Sequence, residues 1–547
     1  MNALPIAVIS ALVICAYART AGVQLVSVPS GYDYEVYFDV PYTSGFCAWA
    51  EFNDSLSEEG WGRLTVRGNH KDDSIAHYCS GIVEAALTHT RISQYFSVTY
   101  DSLLEDLGGS FPQKLADWLT TTIAWTREKA EKNHGNDDYW NAVYSILKRF
   151  DGLVDGYKEF RDPKDDVAIS ELQFVVLEAA GDLDDLTVIV SNDNPELRKK
   201  VTSDAWRELH QHCTGLIYMD EQFQDVYVSH DSWSGYNTMN RMLKDYEVVS
   251  GAKRAATRWT FSSNAGLLLS MDDFWEMNSG LVVIETTLNT WNTTLYDLYC
   301  KPESVLSWIR VNVANLLANN GKQWADTFVN FNSYTYNNQY FIVDTKLFNA
   351  GQKPKKGFLT ATEQVPGYLQ TGDRTDELVQ MRWIPSINTP FYEYVYNGSG
   401  YPEKVKETQC DYWSYYKCAR YLIMDRDVTN KIHTYQDFKN FMRYNDWKND
   451  PLSNQDAAES ILSRYDLRPV ECIHQGTMTQ CPAAFGGIDA KTTNMGLARK
   501  LAFDAISSPQ YETQPAWEFG TPQWEKVRYD GLPKVWKFPW IQFRPVN

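Results

Sequence analysis

A cysteine stands at the head of a short apolar run, Cys213-Thr214-Gly215-Leu216-Ile217-Tyr218-Met219. A polar break over 220–225 separates it from a second run that ends in His230-Asp231-Ser232-Trp233. Two β-branched and aromatic runs joined by a polar loop read as a hairpin, which sets a thiol beside an imidazole. A thiol at the start of a strand is most often structural, but it also suits one chemistry. If the chain is cut just before Cys213, the freed α-amine, with a reference pKa of about 7.7–8.0, becomes the base for its own side chain. A thiolate attacks carbonyls well once a neighbouring cation lowers its pKa. His230 could orient or protonate. Acyl transfer also needs donors for the oxyanion, and loss of one such donor typically costs about 10²–10³ in rate. Asn337 and Asn338 open another strand-like run and carry suitable N–H groups. The plainer reading makes His230 a core-edge histidine bound to a backbone carbonyl, and the asparagines turn residues.

The rest of the chain must position these groups. Its 547 residues are 44% hydrophobic, enough for a large core, and the length allows two to four domains. The net charge of -19 argues against a nucleic-acid partner and gives no attraction to anionic membrane surfaces. Leu4 to Ala18 is an apolar run ending in Ala16-Tyr17-Ala18. It is too short to span a bilayer and has the small-residue pattern of a signal-peptidase site. Residues 1–21 are therefore expected to be a signal peptide, cut after Ala18 or Ala21. No later segment reaches the roughly 18 uninterrupted apolar residues of a membrane helix. A secreted or lumenal protein is expected.

Cysteine usage fits that compartment. Apart from Cys15 and Cys213, the neighbours Cys410 with Cys418 and Cys472 with Cys481 could close small loops. Cys47 with Cys79 is a third candidate pair, leaving Cys300 free, although sequence does not fix connectivity. No Cys-x-x-Cys or spaced histidine cluster points to a structural zinc, and no metal or cofactor is expected. Asn53, Asn292 and Asn397 begin Asn-x-Ser/Thr sequons.

Alternation at Tyr34, Val36, Phe38 and Val40 predicts a strand, and 61–66 a second. Helical spacing then runs over 111–132, 139–160 and 170–186. The segment 192–208 is polar, charged and proline-bearing, and reads as an exposed linker that a protease could reach, or else as a solvated helix. Beyond the hairpin, 239–246 reads as a short basic helix, 281–287 as a strand, and 302–317 and 322–329 as helices. Strands follow at 339–345 and 357–362, and helices at 435–444, 457–465 and 494–505. Strands and helices in this order suit two sheets flanked by helices.

Several ordered motifs resemble the phospholipase B-like family of lysosomal and secreted proteins from animals, amoebae and other protists. They are Cys213 to Ile217, Val228 to Trp233, Phe261-Ser262-Ser263, Asp272-Asp273-Phe274, Ser279 to Thr287, Asn332 to Tyr340, Glu363 to Tyr368, Met442 to Asp446 and Gly486 to Asp489. The resemblance implies an α+β fold, the αββα sandwich of N-terminal nucleophile hydrolases with added helices. It implies cleavage of the His212–Cys213 bond, giving an N-terminal chain of residues 22–212 and a C-terminal chain of residues 213–547 that together form one fold. Cys213 is then the nucleophile, with Thr214 and Trp233 in support. Asp231-Ser232 stands where the family often has Asn-Thr, Tyr340 replaces a Trp, and Gly215 replaces a common Ala. The implied activity is release of fatty acyl chains from glycerophospholipids. An amide substrate, or a non-catalytic lipid-binding glycoprotein, are the alternatives.

Overall fold

The computed structural model describes residues 18–28, 31–209, 213–271 and 274–546. His212, Asp272, Asp273 and most of the expected signal peptide lie outside them.

The fold is α+β, built on two sheets placed face to face. Among the described residues the larger sheet has eleven strands. From one edge it runs Tyr368–Asp373, Leu359–Val365, Asn338–Asp344, Leu281–Thr287, Phe274–Met277, Arg258–Asn264 and Arg241–Val249. It continues through Gly62–Asn69, Ala48–Asn53 and Arg19–Val28 to Gly31–Phe38. Its neighbours are antiparallel except for Gly62–Asn69, which lies parallel to Arg241–Val249. That pairing joins the chain before Cys213 to the chain after it. The smaller sheet runs Trp383–Ser386, Thr214–Met219, Val226–Asp231, Asp489–Asn494, Phe503–Ser507 and Ile541–Phe543.

The period-2 geometry of strands decides which side chains meet. Val282, Ile284, Phe341 and Val343 of the larger sheet pack with Ile217, Met219, Val226 and Val228 of the smaller one. The alternate residues Leu281, Val283, Tyr340 and Ile342 face the helices Asp73–Asp106, Asp138–Phe160 and Ser307–Leu317. On the far side, Leu216, Tyr218 and Tyr227 pack against Ala419–Lys431 and Tyr435–Met442. These strands are buried at every position because both faces are covered.

The 34-residue helix Asp73–Asp106 has no counterpart in the sequence expectations. It approaches Asp138–Phe160 backbone to backbone. A Cβ at Gly81 would collide with the Arg149 carbonyl, and one at Gly152 with the Tyr78 carbonyl. Cys47–Cys79 fastens the helix to the chain entering Ala48–Asn53.

Several expectations need correction. Residues 241–249 form a central strand rather than a basic helix. Arg241 and Lys244 are buried, where Asp489 and Glu84 answer their charges, so they mark no solvated face. Residues 457–464 form turns, leading into the 3-10 turn Tyr465–Leu467. The stretch 494–505 holds only the short helix Met495–Ala498 before the strand Phe503–Ser507 begins. The stretch 170–186 divides into Glu171–Glu178 and Ala180–Val190. Cys472–Cys481 forms as expected, but Cys410 and Cys418 are free thiols. The Cys410 thiol bonds to Gln475 Oε1 at 2.8 Å, whereas Cys418 sits at a helix N-cap with its sulfur toward the Tyr415 carbonyl. Cys300 is also free. No helix among the described residues is long and apolar enough to cross a membrane.

Candidate active site

Cys213 directly precedes the strand Thr214–Met219 and is buried, with φ +97°, a left-handed conformation uncommon for a side-chain-bearing residue. Such strain persists only where the surroundings hold it. Arg420 supplies the hold. Its guanidinium donates to the Cys213 carbonyl at 2.8 Å, to the Ile387 carbonyl at 2.9 Å and to Asn388 Oδ1 at 2.9 Å. It also lies over the Trp233 ring, 4.5 Å from the centroid. Thr214 anchors the next residue by donating to the Ile461 carbonyl at 3.0 Å. Trp233 and Thr214 thus both meet Arg420, the residue that holds the Cys213 carbonyl.

The hairpin register sets Gly215 opposite His230 and Thr214 opposite Asp231. The Cys213 sulfur, a His230 ring nitrogen and a Glu285 carboxyl oxygen all lie within 4.8 Å of one another, and all three residues are buried. Atoms of these kinds are ones that zinc also accepts. Beneath them runs a buried polar network. Asp489 accepts from Arg241 at 3.1 Å and from Lys491, and Lys491 also donates to Ser232. Burial pushes the Asp231 carboxyl well above the usual range, against the pull of Lys491 and Arg443.

Cys213 opens on a cavity of about 540 Å³. Trp206, Leu209, Trp233, Met271, Tyr336 and Phe485 give it a largely apolar wall. Such a lining with a few convergent polar groups is the usual character of a small-molecule site. Asp184 is one polar group in the wall; burial, then the neighbouring Asp185 and Asp106, push its carboxyl well up.

The two asparagines sit at the end of the sheet that carries Glu285. Asn338 pairs with Thr287, two residues from Glu285. Their carboxamide donors are committed elsewhere. Asn337 donates to Asp185 at 2.9 Å and to the Tyr334 carbonyl, and Asn338 to the Tyr340 hydroxyl at 3.0 Å. The cavity wall carries Tyr336 but neither asparagine.

The segment before Cys213 is helical, Pro195–Val201 and Asp204–Glu208. Residues 192–196 are exposed, as expected of a reachable linker, but Arg207 and Glu208 are buried. Glu208 accepts from Arg468 at 2.6 Å and from Gln480 at 3.0 Å, beside the Cys472–Cys481 loop. Asn292 and Asn397 are exposed, and Thr294 of the first sequon donates to Asn292 Oδ1 at 2.6 Å; Asn53 is half-buried at a strand end.

Sequence reasoning missed Glu285, Arg420 and Asn388 as site residues. Glu285 did leave a signal, a lone acid closing the apolar run Leu281 to Ile284, since Glu is almost never fully buried without a partner. Arg420 and Asn388 left none, because only the tertiary fold brings them to Cys213.

A family described as Phospholipase B matches residues 48–543. The chain is 35% identical to Phospholipase B-like protein B of Dictyostelium discoideum, over 91% of this chain and 86% of that one. It is 33% identical to Phospholipase B-like 1 of Bos taurus, over 91% and 88%. Phospholipase-B 81 of Drysdalia coronoides is 32% identical over the same shares.

Proposed function

Because the chain belongs to the phospholipase B family, we propose that it releases fatty acyl chains from glycerophospholipids through a thioester on Cys213. The observation that carries this reading is the Cys213–His230–Glu285 cluster opening on an apolar cavity. In this reading the layers helix, sheet, sheet, helix are the sandwich of an N-terminal nucleophile hydrolase. The strained, Arg420-held Cys213 is primed for cleavage of the His212–Cys213 bond. The sulfur attacks the His212 carbonyl, the peptide C–N bond breaks to free the α-amine, and water hydrolyses the resulting thioester. That amine then serves as base for the same thiol. His230 orients the sulfur. Asn337 and Asn338 stay candidates for the oxyanion once released from their present partners. The apolar wall receives the acyl chain. Signal-peptide cleavage after Ala18 leaves the strand Arg19–Val28 whole, and secretion or delivery to the lysosomal lumen follows, with Asn292 and Asn397 presented for glycosylation.

The test is Cys213→Ala in the full chain. It is expected to leave the chain uncut and to abolish acyl release from phospholipid vesicles. A variant that hydrolyses phospholipid at the wild-type rate would refute the reading. Offering phospholipids and N-acyl amides side by side to the processed protein decides between ester and amide.

A further inference from the structure

One hydroxyl reports on the protonation of this site. Tyr336 Oη lies 2.6 Å from the Met271 carbonyl oxygen and 2.9 Å from Glu285 Oε1. A phenol has one proton to give, and a backbone carbonyl can only accept. The shorter contact therefore takes the tyrosine's proton. The longer one still joins two oxygens at hydrogen-bond distance, and a proton on Glu285 would give it a donor of its own in place of a share of the tyrosine's.

We propose that Glu285 is held as a neutral carboxylic acid and is the catalytic acid of the site, protonating the leaving oxygen as Cys213 displaces it. This rests on the hydrolase reading above. Glu285 is fully buried, and its carboxyl lies within 4.8 Å of both the sulfur and the imidazole, so it reaches the reacting atoms.

The step balances as follows. The thiol proton passes to the Cys213 α-amine, and the sulfur bonds to the ester carbonyl carbon. As the carbon–oxygen bond to glycerol breaks, its electron pair takes the Glu285 proton and leaves as an alcohol. A thioester and a Glu285 carboxylate remain. Water then attacks the thioester carbon and gives one proton to Glu285. The carbon–sulfur bond breaks, and the sulfur recovers its proton from the α-ammonium.

The test uses Glu285→Gln, whose amide N–H can still donate to Tyr336. A glycerophospholipid has a poor alkoxide leaving group, whereas a nitrophenyl acyl ester leaves as a phenolate that needs no proton. On the processed full chain the phospholipid rate should fall about 10²–10⁴-fold and the nitrophenyl ester rate by less than about tenfold. Equal losses on both esters, or an unchanged phospholipid rate, would overturn the assignment. An infrared difference spectrum between Cys213→Ala and Cys213→Ala with Glu285→Gln reads the uncleaved chain and needs no activity. It should show one protonated-carboxyl carbonyl band lost, and its absence overturns the proposal. Should the wild type turn over neither ester, the hydrolase reading fails while the infrared band still decides the state of Glu285.

Discussion

Glu178 offers a test of how the interior holds its acids. It ends the helix Glu171–Glu178, is fully buried, and accepts the Leu268 N–H at 2.8 Å. Burial raises its carboxyl from an ordinary 4.5 to about 8, against the pull of Lys244 and Arg149. Between those values the folded chain keeps a proton that the unfolded chain has lost. The residue's contribution is thus complete below pH 4.5 and drains away as pH rises through 8. At about 1.4 kcal/mol per unit, the three units from pH 5 to 8 amount to about 4 kcal/mol. Glu459, raised to about 8, Glu363, to about 7, and Asp185, to about 6, act in the same direction. His77 opposes them. Burial lowers it to about 3, so it loses stability as pH falls below its ordinary 6.5. The unfolding entropy of a chain this long is roughly 1.1 kcal/mol per degree, so 4 kcal/mol corresponds to about 4 °C in Tm. The wild type should melt lower at pH 8 than at pH 5. Glu178→Gln, neutral at every pH and still an acceptor for Leu268, should shrink that drop by about 4 °C in calorimetry. Parallel curves for the two proteins would refute the reasoning.

Two further outcomes follow from the site. Arg420→Met keeps much of the volume but leaves the Cys213 and Ile387 carbonyls without their donor. It should cost about 2–5 kcal/mol in urea unfolding and, if the chain is cut before Cys213 as proposed, slow that cut, read as fragment yield on a denaturing gel. Asp231→Asn replaces a carboxyl whose charged form burial disfavours with a carboxamide of the same shape. Stability at pH 5, read by urea unfolding, should change by no more than about 1 kcal/mol, and the variant should lose less than the wild type as pH is raised.

What could be read beforehand was local. The hairpin from Cys213 to Trp233 declared itself by its two apolar runs, and 281–287 by an unbroken one. The helices over 111–132 and 139–160 showed their spacing and lie within a few residues of Gln113–Asn133 and Asp138–Phe160. Illegible parts were those where a distant partner cancels a local signal. Lys244 read as part of a basic helix because Glu84, which answers its charge, is 160 residues away. Cys410 and Cys418 looked like a pair because closeness in sequence says nothing of where each sulfur points. The Cys213 thiol could be nominated from its strand. Its clamp by Arg420, and the Glu285 carboxyl beside it, required the fold.

The parallel seam between Gly62–Asn69 and Arg241–Val249, with Glu208 held by Arg468, changes what a nick before Cys213 would mean. The two pieces would stay riveted by a shared sheet and a buried ion pair, so native sizing would not reveal the cut. Once unfolded, however, they would drift apart as separate molecules. Reassembly would become an encounter that slows with dilution, and the mature fold would endure through the height of its exit barrier, with no easy way back.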